Sequence, residues 1–226
     1  MPPGCFTPFD KGGAARFLIL WLLIRPGMLK MHLLTVAGFL GSGKTTLIIK
    51  LAEAAVQRGL KAAILVNEIG AMGIDDQLMR QLDLNVYQMV GGCVCCSLAS
   101  NMPRTLQKLV ENYAPDFVMI EPSGAAELEK VLAALEYYRG EPMESRRSVV
   151  LLDALRLEVL IQALTPLITS QINSADVILL NKIDTATASE VENSRTIVAN
   201  LRPDKPIFAL SARKGLDPVL IRELLP

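Results

Sequence analysis

The chain has 226 residues, 51% hydrophobic and 20% charged, enough apolar material for one large core and the wrong balance for disorder. Lys+Arg and Asp+Glu both number 23, so the formal net charge is zero, which removes the basic field that nucleic acid or an anionic membrane would need. Four cysteines are too few for a disulfide scaffold at this length and suit a reducing, cytoplasmic setting in which thiols are free for chemistry.

In chain order, the first notable stretch is Phe17–Ile24, eight apolar residues between Arg16 and Arg25. A bilayer span needs about 20, so no membrane span is expected there. No small-residue cleavage site follows it in Arg25-Pro26-Gly27-Met28. Residues 1–30 are read as an N-terminal extension, or as sequence ahead of a true start at Met28 or Met31. From residue 31 to 226 short apolar runs alternate with helical patterns, the mark of βαβ units around a parallel sheet. Strands are predicted at Leu33–Ala37, Ala62–Val66, Val86–Val90, Phe117–Ile120, Val149–Leu152, Val177–Leu180 and Ile207–Leu210. Helices are predicted at Lys44–Arg58, Asp75–Leu82, Pro103–Glu111, Ala125–Tyr138, Ala154–Leu164, Ser189–Leu201 and Asp217–Leu224. The strands are apolar throughout, as strands covered on both sides are. The expected fold is therefore α/β, one domain over 31–226, with a mostly parallel sheet and helices on both faces.

Gly38-Phe39-Leu40-Gly41-Ser42-Gly43-Lys44-Thr45 lies between the first strand and the first helix and fits G-x-x-x-x-G-K-[ST]. Glycines let the backbone curl so that successive N–H groups converge on phosphate oxygens, and the helix adds its positive end. Gly41, Ser42, Gly43, Lys44, Thr45 and Thr46 are the predicted phosphate contacts. Lys44 would reach the β- and γ-phosphates, and the Thr45 hydroxyl would ligate Mg²⁺. The strand–loop–helix context identifies a P-loop NTPase.

After the second strand comes Asn67-Glu68-Ile69-Gly70, followed by Asp75 and Asp76. This acidic loop could sense the γ-phosphate and position the attacking water; Asp75 reads equally well as a helix N-cap. Gly91-Gly92-Cys93-Val94-Cys95-Cys96 could bring three thiolates onto one ion such as Zn²⁺. A thioredoxin-like pair at Cys93 and Cys96 and inert buried thiols are the other readings. Glu121-Pro122-Ser123-Gly124 ends the fourth strand. Its acid is placed to support Mg²⁺, through a bound water given the length of Glu, and Gly124 lets the backbone approach the γ-phosphate.

Asn181-Lys182-Ile183-Asp184 ends the sixth strand. An Asp there can accept two hydrogen bonds from guanine N1 and N2, a donor pair adenine lacks, so mispairing strands a carboxylate. Asn181 would orient the loop and the Lys182 stem would cover the base; a plain polar turn is the alternative. Ser211-Ala212-Arg213, after the seventh strand, offers backbone N–H groups to the guanine O6.

These motifs in this order, with Cys-x-Cys-Cys among them, resemble the CobW/HypB/UreG family of GTPases, and most of all its CobW branch. The resemblance runs from about Met31 to the C-terminus. It implies GTP hydrolysis coupled to delivery of Zn, Co or Ni to a client metalloprotein or cofactor-assembly protein, often as a homodimer. On it, Lys44 and Thr45 bind phosphate and Mg²⁺, Glu121 supports the magnesium, and Asp184 selects guanine. Glu68, Cys93, Cys95 and Cys96 form the transition-metal relay. Ala71 stands where a second acid is common, and the sequence reads as the GTPase domain without a C-terminal CobW domain or His-rich tract. Two rival functions share the same motifs: an ATP-dependent phosphotransferase, and a non-catalytic metal sensor or buffer that holds nucleotide as a structural ligand.

Overall fold

The computed structural model describes residues 31–66, 85–88 and 98–226. The predicted helix Asp75–Leu82, the N-terminal extension, the Asn67–Asp76 loop and the cysteine cluster lie outside them. Seven strands build one sheet: β1 Met31–Ala37, β2 Ala62–Val66, β3 Asn85–Gln88, β4 Phe117–Glu121, β5 Met143–Asp153, β6 Val177–Asn181 and β7 Ile207–Ala209. Their order is β3-β2-β4-β1-β5-β6-β7, and every neighbouring pair is parallel. The helices are α1 Lys44–Gln57, α2 Leu98–Tyr113, α3 Leu128–Leu135, α4 Leu157–Ala163, α5 Thr165–Ser174, α6 Ala188–Leu201 and α7 Pro218–Leu224. None of these is long and apolar enough to cross a membrane.

Side chains alternate across the sheet, so each apolar strand feeds two cores. On one face Leu34, Val36, Ile64, Met119 and Leu151 pack against Leu47, Ile48 and Leu51 of α1 and Leu220 and Leu224 of α7. On the other face Leu33, Leu65 and Ile120 meet α2 and α3 through Met102, Leu106 and Val131. Farther along that face Val150, Leu152 and Ile178 meet Leu157, Ile168, Ile172 and Val198 of α4, α5 and α6. Helices thus cover both faces, as a parallel sheet of uniformly apolar strands demands.

Several bounds shift, α2 starting at Leu98 rather than Pro103 and α3 covering only Leu128–Leu135; two differences have a clear physical reason. β5 is eleven residues long, because the polar stretch ahead of its apolar run also hydrogen-bonds along β1, from Met31↔Met143 to Ala37↔Val150. Arg146 there pairs with Glu136 at 2.7 Å, and Arg147 with Glu223 at 2.6 Å. Helix α5 was not predicted: its Thr, Ser, Asn and Ile residues are weak helix formers. Burial of Ile168, Gln171 and Ile172 on one helical face holds it in place.

Helix α6 opens with a reciprocal cap. The Glu190 N–H donates to Thr187 Oγ1 at 3.2 Å, and the Thr187 N–H donates to Glu190 Oε2 at 2.7 Å, which satisfies two N-terminal donors at once. Thr187→Ala should therefore lower the free energy of unfolding by about 1 kcal/mol, measured by urea denaturation. An unchanged midpoint would show that the cap contributes nothing.

Candidate functional site

In a parallel sheet all strands end at one edge, and ligands gather there at the point where the strand order reverses. Here β1 is flanked by β4 on one side and β5 on the other. The loops after β1, β4, β5, β6 and β7 therefore emerge together, and they carry the polar residues singled out in the sequence.

The phosphate loop leaves β1 at Gly38 and enters α1 at Lys44. Ser42 is buried and its N–H donates to the Phe39 carbonyl at 3.1 Å, closing the curl. Gly43 is left-handed at φ 101°, and a Cβ there would run into the Asn181 amide nitrogen. The Lys44 ammonium is buried, with the Phe39 carbonyl 3.5 Å away. Beside the loop opens a cavity of about 650 Å³, lined by Gly41, Lys44, Thr45, Thr46, Glu121 and Gly124 among others.

On the wall of this cavity the Thr45 hydroxyl donates to the Glu121 carboxylate, 3.1 and 3.2 Å from its two oxygens. Desolvation raises the Glu121 pKa, opposed by Lys44 and by the Thr45 hydroxyl. Desolvation also lowers that of Lys44, opposed by Glu121. A hydroxyl and a carboxylate of hard oxygens on one cavity wall suit Mg²⁺. The loop following Glu121 folds back on the phosphate loop, so that a Cβ at Gly124 would stand 2.8 Å from the Leu40 nitrogen.

Asn181 joins the two halves of the cleft. Its Nδ2 donates to the Ser42 carbonyl at 2.7 Å, and its Oδ1 accepts from the Ala212 N–H at 2.9 Å. One buried amide thus ties the phosphate loop to β6 and to the loop after β7. The Ala212 N–H is committed to Asn181, whereas the sequence reading turned it toward the base. Lys182 adopts φ 67° and its ammonium reaches Asp153 Oδ2 at 2.8 Å. The adjacent Ser211 side chain holds the Asp184 carboxyl below the usual range, helped by Lys214 and Arg213.

Asp153 and Arg156 escaped the sequence reading. Asp153 ends β5 with its side chain 2% exposed and accepts from Lys182 and from Arg156 Nε, the latter at 2.7 Å. Arg156 Nη2 also donates to the Leu40 carbonyl at 3.1 Å. The available signal was a polar or charged residue at the end of a buried apolar strand, the same one that marks Glu121 and Asn181. Glu68, Asp75, Cys93, Cys95 and Cys96 lie outside the described residues; among the described residues no group of three or more His, Cys, Asp or Glu is placed to hold a metal.

Comparison with known proteins agrees with this geometry. Residues 32–209 match the family model described as CobW/HypB/UreG, nucleotide-binding domain. The zinc chaperone YeiR of Escherichia coli is 35% identical over 161 residues, covering 71% of this chain and 48% of that protein. The zinc chaperone CobW of a Sinorhizobium species is 28% identical over 215 residues, covering 82% of this chain and 60% of its own length. The chain thus spans about half to three-fifths of these relatives. Among solved structures, the hydrogenase maturation factor HypB of Archaeoglobus fulgidus superposes with a TM-score of 0.62 at 16% identity, over 87% of this chain and 89% of that one. The Zn(II)-bound YjiA GTPase of E. coli gives 0.57 at 23% identity, over 84% and 60%. At these identities the likeness fixes the fold, a P-loop NTPase.

Burial works to raise the Asp153 pKa, but hydrogen bonds and charge from Lys182 and Arg156 outweigh it and hold the carboxyl below its ordinary value. A depressed folded-state pKa adds stability above the unfolded value of about 3.9 and loses it as pH falls through the folded-state value. Asp153→Asn should cost about 1–2 kcal/mol at pH 7, since both partner cations are partly solvated. Its deficit against the wild type should shrink as pH drops below about 4. Urea unfolding at both pH values checks this; a gap independent of pH would remove the carboxylate charge from the account.

Proposed function

The chain belongs to the CobW/HypB/UreG family, a family of P-loop GTPases, and from that membership we propose that it binds GTP with Mg²⁺ and hydrolyses it to GDP and phosphate. The cycle is coupled to binding a transition metal as cargo, zinc first and cobalt or nickel by the same ligand chemistry, and to handing it to a client metalloprotein or cofactor-assembly protein. The observation that supports this reading is the Asn181 bridge, which ties the loop carrying Lys44 to the strand end three residues before Asp184. Zinc carries the first weight because YeiR and CobW, its relatives, are named zinc chaperones.

Each residue has a task on this reading. Backbone N–H groups of Gly41, Gly43, Lys44 and Thr45 and the Lys44 ammonium hold the phosphates, and Asp184 accepts from guanine N1 and N2. The Thr45 hydroxyl and, through water, the Glu121 carboxylate hold magnesium, which when bound neutralises charge on the β- and γ-phosphates. Gly124, already against the phosphate loop, is placed to follow loss of the γ-phosphate. Glu68 and Asp75 are assigned to orienting the attacking water. Cys93, Cys95 and Cys96, with Glu68, are assigned to the cargo metal. β3 ends at Gln88 on the nucleotide edge of the sheet, and the cysteine segment follows it in sequence. A homodimer and a cytoplasmic location complete the proposal.

Calorimetry with GTP and ATP tests the base assignment. The wild type should prefer GTP, and Asp184→Ala should weaken GTP binding by at least about tenfold while leaving ATP unchanged, as expected for loss of a buried pair of hydrogen bonds. Equal affinities for the two nucleotides in the wild type would remove the guanine reading. A second measurement concerns coupling. Zn²⁺ affinity under reducing conditions should differ between GDP and a non-hydrolysable GTP analogue, and should collapse in the Cys93/Cys95/Cys96 triple Ser variant. Equal affinity in both nucleotide states would refute delivery driven by hydrolysis, because a ligand without differential affinity shifts no equilibrium.

A further inference from the structure

Arg156 belongs to none of the motifs that mark the nucleotide cleft, yet its guanidinium reaches the phosphate loop. It stands between β5 and α4, anchored by Nε on the buried Asp153 carboxylate at 2.7 Å. The same Oδ2 oxygen accepts from Lys182 at 2.8 Å, so the carboxylate behind the guanidinium is itself held in place. From that anchor Nη2 donates to the Leu40 carbonyl oxygen at 3.1 Å. The same nitrogen lies 3.1 Å from where a Cβ on Gly41 would be.

The Leu40 carbonyl and the Gly41 N–H share one planar peptide, and in a trans peptide they point in opposite directions. Holding the oxygen on Arg156 therefore turns the Gly41 N–H the other way, toward the cavity that Gly41 lines with Lys44 and Thr45. Gly41 has φ 76°. Glycine populates positive and negative φ about equally, so the loop's own backbone does little to stop this peptide turning over. Turned over, it would aim an oxygen lone pair at the phosphates.

We propose that Arg156 is a positioning residue for the phosphate loop: braced on Asp153, it locks the Leu40–Gly41 peptide with its N–H directed at the phosphate oxygens. The proposal rests on the reading of this cleft as a guanine-nucleotide site and adds a determinant of how long the nucleotide stays. The Gly41 N–H serves phosphates present in both GDP and GTP, so Arg156 governs retention of both and leaves base choice to Asp184.

Release of fluorescent GDP and of a fluorescent non-hydrolysable GTP analogue, chased with excess unlabelled nucleotide, tests this in the full chain. Arg156→Ala should release both about tenfold faster, the scale of one charge-assisted hydrogen bond. Arg156→Lys, without a fork to span Asp153 and Leu40 together, should recover only part of the loss. The GTP-over-ATP preference should stay at its wild-type value, and the nucleotide-free melting temperature should fall by no more than about 4 °C, the scale of one partly exposed ion pair. Wild-type release rates in either variant overturn the proposal. So does faster release accompanied by a larger fall in the nucleotide-free melting temperature, since that reports general loosening. Failure of the wild type itself to retain guanine nucleotide would instead sink the underlying reading of the cleft.

Discussion

The cleft depends on one buried side chain. Asn181 is 3% exposed, and its amide donates to a carbonyl of the phosphate loop and accepts from an N–H of the loop after β7. Neither near-isostere does both: Asp has no donor at neutral pH, and Leu of similar volume has neither group. Losing the amide would strand the Ser42 carbonyl and the Ala212 N–H, each at about 1–3 kcal/mol. Gly43 is the complement of this contact, because a side chain there would take the space of the Asn181 nitrogen. The sheet brings the loops to one edge, and this amide sets their spacing.

Charge is arranged around that frame in two unequal groups. Lys44 is buried and Glu121 half-buried, and for each desolvation is the larger influence, pushing the lysine down and the carboxyl up. On the proposed reading, phosphate oxygens offer the ammonium an anionic partner and magnesium offers the carboxylate a positive one. Asp153 is the opposite case. Its two cations outweigh its burial, so it is satisfied without any ligand and acts as an anchor for Lys182 and Arg156. The cleft therefore has one wall on which desolvation dominates and one on which ion pairing does.

Much of this was legible in the sequence because parallel strands buried on both faces are bare apolar runs. β2 lies where its run predicted, and β4 and β6 extend theirs by the one polar residue that enters the cleft, Glu121 and Asn181. The same logic hides β5's first half, where Glu144, Ser145, Arg146 and Arg147 join the sheet through backbone bonds that leave no hydrophobic trace. Helix α5 is hidden because its stability comes from Ile168 and Ile172 against the sheet rather than from its own residues. Asn181, Lys182 and Asp184 stood out by their spacing. Asp153 and Arg156 stand three apart in an ordinary strand-to-helix turn, and their importance comes from a contact with Leu40, far away in sequence.

The glycines that make the phosphate loop also make it insecure. A loop able to curl its N–H groups onto an anion needs residues free to adopt positive φ, and such residues can turn a peptide either way. Local sequence thus supplies the reach of the cradle but not its polarity, which must be imposed by groups the loop does not contain. Asn181 takes the Ser42 carbonyl and Arg156 takes the Leu40 carbonyl, so two carbonyls in the span are each occupied from outside. With both oxygens held outward, the N–H groups of Gly41 and Gly43 in the same peptide planes face the opposite way. Strands β5 and β6 therefore fix the electrostatic sign of a loop that begins on β1, and a ligand's affinity for the loop becomes a property of the sheet edge as a whole.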